Sequence, residues 1–86
     1  ILKWIEIVDR NDGHTLRVIN LRYVTSIDFE FIHRKKPKLS KEIIVTISDS
    51  NNETQNYYYG PNSNHIWSND KLIQHKLDKC LEFLNK

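Results

Sequence analysis

Apolar and polar residues alternate in short runs along the first two-thirds of this chain, and a 3.6-residue period takes over only at the end. Period two marks strands with one buried face, and period 3.6 marks an amphipathic helix. Trp4 to Val8 reads as a strand with Ile5 and Ile7 on one face and Trp4 and Val8 on the other. Asp9-Arg10-Asn11-Asp12-Gly13 supplies the residues that tolerate a tight reversal, and His14 to Asn20 returns as the second strand, Leu16 and Val18 alternating with Thr15 and Arg17. After a break at Asn20-Leu21-Arg22, Val24 to His33 alternates most cleanly, with Ile27, Phe29 and Phe31 facing one way and Asp28 and Glu30 the other.

Pro37 stops ladder pairing in the next turn. Glu42 to Ser48 makes a fourth strand with Ile43, Val45 and Ile47 inward. Asp49-Ser50-Asn51-Asn52 turns the chain into a fifth, Thr54 to Tyr59, which Gly60-Pro61 ends. Ser63 to Ser68 reads as a polar loop around Ile66 and Trp67. A helix starts near Ser68 or Asn69, either able to cap it, with Asp70 suited to its first turn. At about 100° per residue, Ile73, Leu77, Cys80, Leu81 and Leu84 fall on one side, and Leu72 and Phe83 widen that stripe. The expected fold is α+β: a five-stranded antiparallel β-meander with one C-terminal amphipathic helix packed on one face.

Length and composition narrow this further. The 86 residues make one small domain, 1–86, whose single core draws on a good supply of aromatic rings. The chain holds no Met and begins at Ile1: either an initiator residue is missing or this is a piece of a longer chain. The charged opening stretch is no signal peptide, and no apolar run reaches the length of a membrane span. Cys80 stands alone, which leaves no internal disulfide and no cysteine-based zinc site and favours a reducing, cytoplasmic setting. The net charge of +2 is unevenly placed. Residues 33–41 hold Arg34, Lys35, Lys36, Lys38 and Lys41 and no acid, while the rest of the chain has eight Lys and Arg against eleven Asp and Glu.

Candidate chemistry is thin. His14, His33, His65 and His75 match no ligand spacing, and His75 and Cys80 point apart on a helix. The Asp9–Gly13 turn lacks the acid that a calcium loop of that kind needs, since Asn20 stands there. Asp28 and Glu30 share a strand face, but no apolar neighbour desolvates them, so they read as the solvated side of a strand rather than as an acid–base pair. Cys80, on the buried helix face, reads as a small hydrophobe and not a nucleophile. Asn52-Glu53-Thr54 matches a glycosylation sequon, and with no secretory signal expected the match reads as chance. No enzymatic activity, metal or cofactor is expected.

Two binding signals stand against that background. Tyr57, Tyr58 and Tyr59 alternate faces, so if Tyr57 and Tyr59 turn to the helix, Tyr58 lies on the open face, beside Ile44 and Trp4. With Trp67, these residues describe an anchor for a protein partner or a second copy of the chain. The alternative is a minor hydrophobic cluster under the Asn62–Trp67 loop. The second signal is the basic loop: Arg34, Lys35, Lys36, Lys38 and Lys41 could neutralise phosphates of a nucleic acid, or serve only as a solubility device that also blunts an edge strand.

Ile7-x5-Gly13-x6-Asn20-x3-Val24-x2-Ile27, followed by the strand at Ile43–Ile47 and a closing helix, resembles the small FlbD-like flagellar regulatory proteins. The likeness covers about two-thirds of the chain and rests on turn and core positions; the basic loop and the Tyr-rich fifth strand depart from it. It implies a non-enzymatic regulatory protein and carries over no functional residue. The function expected is that of a small regulatory or accessory domain working by protein–protein interaction, or alternatively one contacting nucleic acid through residues 33–41.

Overall fold

Each alternating run forms a strand, and so does one stretch without clear alternation. In the computed structural model, which describes residues 1–86, the strands are β1 (Trp4–Asp9), β2 (Thr15–Asn20), β3 (Val24–Arg34), β4 (Ser40–Asp49), β5 (Thr54–Tyr59) and β6 (Asn64–Ser68). A 3-10 turn, Leu21–Tyr23, joins β2 to β3, and the helix α1 spans Lys71–Leu84. The class is α+β, with a mixed six-stranded sheet in the order β2-β1-β6-β5-β4-β3.

This corrects the expected five-stranded antiparallel meander. The segment expected as a loop, Ser63–Ser68, supplies β6, which inserts between β1 and β5. It runs antiparallel to β1, with Ile5 opposite Ser68 and Ile7 opposite Ile66, and meets β5 in parallel at one pair, Tyr59 and Asn64. Parallel neighbours ordinarily need a crossover of a dozen or more residues. Here residues 60–63 suffice because β6 does not run alongside β5; it takes over where β5 stops and is displaced one strand sideways. Gly60 is buried in that step, where a Cβ would come within 3.3 Å of the Ser63 hydroxyl. The sheet is thus two three-stranded halves, β3-β4-β5 and β2-β1-β6, hinged at one corner.

The halves fold toward each other. Arg17 on β2 hydrogen-bonds Gln55 on β5, and Arg17, Ile19, Ile47 and Gln55 line one cavity of about 30 Å³ between the half-sheets. Inside lies a single core of nine buried residues: Ile5 and Ile7, Ile43, Val45 and Ile47, Tyr59, Ile66, and Leu77 and Cys80 from α1. Ile73, Leu81, Phe83 and Leu84 pack around it, whereas Leu72 is exposed. Leu16 and Val18 on β2 are exposed too, and it is Ile19 that packs on the core.

The cap of α1 lies one or two residues later than Ser68 or Asn69. Asp70 is the cap, its carboxylate accepting from the Leu72 and Ile73 amides at 3.0 and 3.1 Å. Ser68 closes β6 instead, donating from its hydroxyl to the Trp4 carbonyl at 2.6 Å. Asn69 holds the other side of the same junction, accepting from the Trp4 amide at 2.7 Å.

Truncating Leu77, 1% exposed at the centre of the core, to Ala is expected to cost about 2–5 kcal/mol by leaving a cavity. Tyr59 offers the opposite test, because its fully buried hydroxyl finds no protein partner. Tyr59→Phe is expected to be neutral or stabilising by up to about 1–3 kcal/mol, since it removes an unsatisfied polar group. Urea unfolding of both variants checks the pair; a clearly destabilised Tyr59→Phe would mean that the hydroxyl is bonded.

Candidate interaction surface

α1 covers the core side of the sheet, and the other side has no covering layer. Which residues point there follows from parity. With Ile43, Val45 and Ile47 buried, Ile44 faces outward; Tyr58 stands directly opposite it on β5, and Glu30 on β3. Because Ile5 and Ile7 are buried, Trp4 and Glu6 face outward, and Trp67 stands opposite Glu6 on β6. The four residues singled out for partner binding, Trp4, Ile44, Tyr58 and Trp67, therefore share one face.

They do so as two pairs, one in each half-sheet. Ile44 and Tyr58 form the first, with Tyr58 51% exposed and the Thr46 hydroxyl donating to the Asn56 side chain at 2.8 Å in the next row. Trp4 and Trp67 form the second, edge to face with ring centres 6.0 Å apart and planes at 78°. Trp4 lies beside the Ser68 end of β6, whereas Tyr58 lies beside the Asn64 end, so about 13 Å of strand separates the pairs. Tyr58 has Ile44 as its neighbour and not Trp4. Both tryptophans are half-buried, because each ring covers part of the other.

At the corner, Arg10 extends over the Tyr59 ring at 5.9 Å and reaches the His65 Nδ1 at 3.5 Å. Burial pushes the Tyr59 hydroxyl up to about 12, and it pushes the Cys80 thiol up to about 11, so neither is a nucleophile at neutral pH. Partial burial, and then the Arg10 guanidinium, hold His65 below its ordinary value. No three His, Cys, Asp or Glu side chains converge in a way that could hold a metal ion.

The basic residues are less uniform than their spacing suggests. Arg34, Lys35, Lys36 and Lys38 stand exposed around the β3–β4 tip, with no ion pair to any of them. Lys41 is turned back onto α1. Its ammonium donates to the Phe83 carbonyl at 3.3 Å and to the Lys86 carbonyl, and it lies 5.3 Å from the Phe83 ring centre. A cation at the carbonyl end of a helix is held by the helix dipole as well as by these bonds. Lys38, Lys41, His33 and Lys86 line a cleft of about 560 Å³ floored by residues 60–63, with Glu42 as its one acid.

No helix is long and apolar enough to cross a membrane. Comparison with protein-family profiles, with curated protein sequences and with solved structures returns no match.

Two groups link the stability of the fold to pH. His65 is held low, so acid favours the unfolded chain as pH falls from about 6.5 toward its folded value. The amides of the α1 cap, chiefly that of Ile73, together with Lys3 at 3.2 Å, hold the Asp70 carboxyl low, so its contribution is complete above about 4 and fades as pH falls through the folded value. Thermal melts are expected to lose stability in two separate steps on acidification. Asp70→Asn removes the lower step and His65→Gln the upper; one step unaffected by either change would contradict the assignment.

Proposed function

We propose that this domain is a non-enzymatic regulatory or accessory module that acts by binding another protein through the uncovered face of its sheet. The observation that carries this reading is that Trp4, Ile44, Tyr58 and Trp67 all face outward there, as two pairs, with Tyr58 half exposed beside Ile44. An aromatic ring in that position supplies a large contact area at low entropic cost, and aromatic anchors dominate interface energetics. The likeness to FlbD-like regulatory proteins supports the same class of activity, and a cytoplasmic setting fits the lone reduced cysteine.

A second reading rests on the exposed cations of the β3–β4 tip, which suit the phosphates of a nucleic acid. With Lys41 engaged by α1, four residues remain for that role: Arg34, Lys35, Lys36 and Lys38.

Tyr58→Ala is expected to leave the unfolding midpoint nearly unchanged and to weaken partner association by more than about 1 kcal/mol, or roughly fivefold. Quantitative mass spectrometry of what wild type and variant retain from the same extract reads this out; identical retention would remove Tyr58 as an anchor. The second reading predicts an affinity for single- or double-stranded nucleic acid that falls steeply with salt and vanishes in a Lys35→Glu, Lys36→Glu variant. An absence of binding at low salt ends it.

A further inference from the structure

β3 is the longest strand and stands at one edge of the sheet. It pairs with β4 alone, and no backbone hydrogen bond outside the regular ladders ends on residues 25–34. Alternate N–H and C=O groups along it therefore point outward without a partner. α1 does not cover them; it runs on the core side, where Phe83 meets Phe31 edge to face at 5.0 Å and still leaves Phe31 52% exposed. The opposite edge is guarded differently. β2 has only six residues, and its pairing is broken by a register shift at Ile7 and Val8, whereas β3 pairs in unbroken register from Ser26 to Arg34. Short length and irregularity are two of the ways a sheet blunts an edge, and β3 lacks both over this run, leaving only its charges as guards.

The charges along the edge say what it accepts. Asp28 and Glu30 lie exposed on the outer face in one half of the run; Arg34 follows at the same parity in the other, and Lys36 stands exposed in the bend two residues beyond it. A strand with acids first and bases last complements itself when a copy lies antiparallel. With a two-fold axis through Ile32, Glu30 stands opposite Arg34 of the second copy and Asp28 opposite its Lys36, and each pair occurs twice. The same register sets Phe31 opposite His33 on the other face and shelters the exposed edge of the ring. A shift centred on Glu30 would set Glu30 against itself, and an in-register parallel arrangement would set every charge against its like.

We propose that the β3 edge is the interface of a two-fold homodimer in which two copies of this chain pair antiparallel about Ile32. The interface is isologous, so its symmetry closes at two copies instead of propagating. It uses the strand edge and the Asp28–Lys36 charges, and stands independently of the partner reading for Trp4, Ile44, Tyr58 and Trp67.

Sedimentation velocity of the whole chain at about 0.1 mM, where a Kd of about 10 μM leaves most chains paired, tests this. Wild type is expected to be a dimer. The variant D28K/E30K and the variant R34E/K36E each oppose like charges at all four contacts and are expected to be monomers, with circular dichroism unchanged. Mixed in equal amounts, the two variants restore opposite signs at every contact and are expected to recover the dimer. E30Q/R34Q, which deletes two of the four pairs without creating repulsion, gives a dimer weakened severalfold and keeps the test readable if a reversed variant fails to fold. A monomeric wild type, a dimer that survives D28K/E30K, or a mixture that stays monomeric would overturn the proposal.

Discussion

The constraint on which the rest of this structure depends is the length of one connection. β2 and β3 are the two outermost strands of a six-stranded sheet, yet only Leu21–Tyr23 lies between them. Flat, such a sheet would hold its edges about 24 Å apart. The span from Asn20 to Val24 reaches about 14 Å at most. The sheet must therefore curl until its edges approach at that end, and the other features follow. The curl turns the inner faces of the halves toward each other, so Ile5 and Ile7 from one half share a core with Ile43, Val45 and Ile47 from the other. It leaves an open side that one helix can close, which is why 14 residues of α1 are enough. It also explains the turn itself: Asn20 accepts from the Arg22 amide at 2.9 Å, and the Leu21 amide donates back to the Lys3 carbonyl at 2.9 Å, fixing the chain where it swings from one edge to the other.

Local patterns were legible in the sequence and distant pairings were not. The first hairpin could be read because its turn supplies its own chemistry: Gly13 takes the positive φ of 77°, and its amide closes onto the Asp9 carbonyl at 2.8 Å. The inward and outward residues of β4 and β5 could be read from alternation alone, down to Tyr58 lying opposite Ile44. β6 shows no strand signal because Asn64, His65, Trp67 and Ser68 leave Ile66 as its one aliphatic residue, and its other buried side chain, Ser68, is polar, so no apolar period appears. Its strand character comes from β1, more than fifty residues away, which offers an edge. Without β6, an antiparallel meander is the natural topology; with it, the order of the sheet changes and the connection between β5 and its neighbour becomes parallel. The helix cap moved for a related reason, since Ser68 was already committed to the Trp4 carbonyl.

The candidate surface divides in the same way. Parity put Trp4, Ile44 and Tyr58 on the outward face, whereas Trp67 fell in the expected loop and is turned outward only by β6; the grouping of the four depended on the sheet order. Trp4 and Trp67 meet because β6 inserts beside β1, and Tyr58 is left with Ile44 because the two half-sheets join only at the Tyr59 corner. Lys41 shows the same limit among the charges. Its neighbours in sequence suggest an exposed loop residue, while its partners lie at the end of α1 and just past it, more than forty residues further on. Nothing in a run of lysines distinguishes the one that faces a helix end.

The insertion of β6 beside β1 bears on how the domain comes into being. β1 carries two core residues, and one of its two sides is completed only by residues 64–68. An emerging chain can close the first hairpin and the β3–β4 pair at once, since those contacts are local, but β1 keeps an open side until nearly the whole sequence is available. Contacts of such long sequence separation are slow to form, because loop closure must be met before they reward it. The two ends of the chain are thus interlocked, and no cut between β2 and β6 yields a piece with a finished core. A chain stopped at Gly60 would expose one side of β1 along with the buried faces of Ile5 and Ile7, the combination that favours pairing with another unfinished chain. The late strand makes assembly all-or-none and concentrates the hazard in the interval before it arrives.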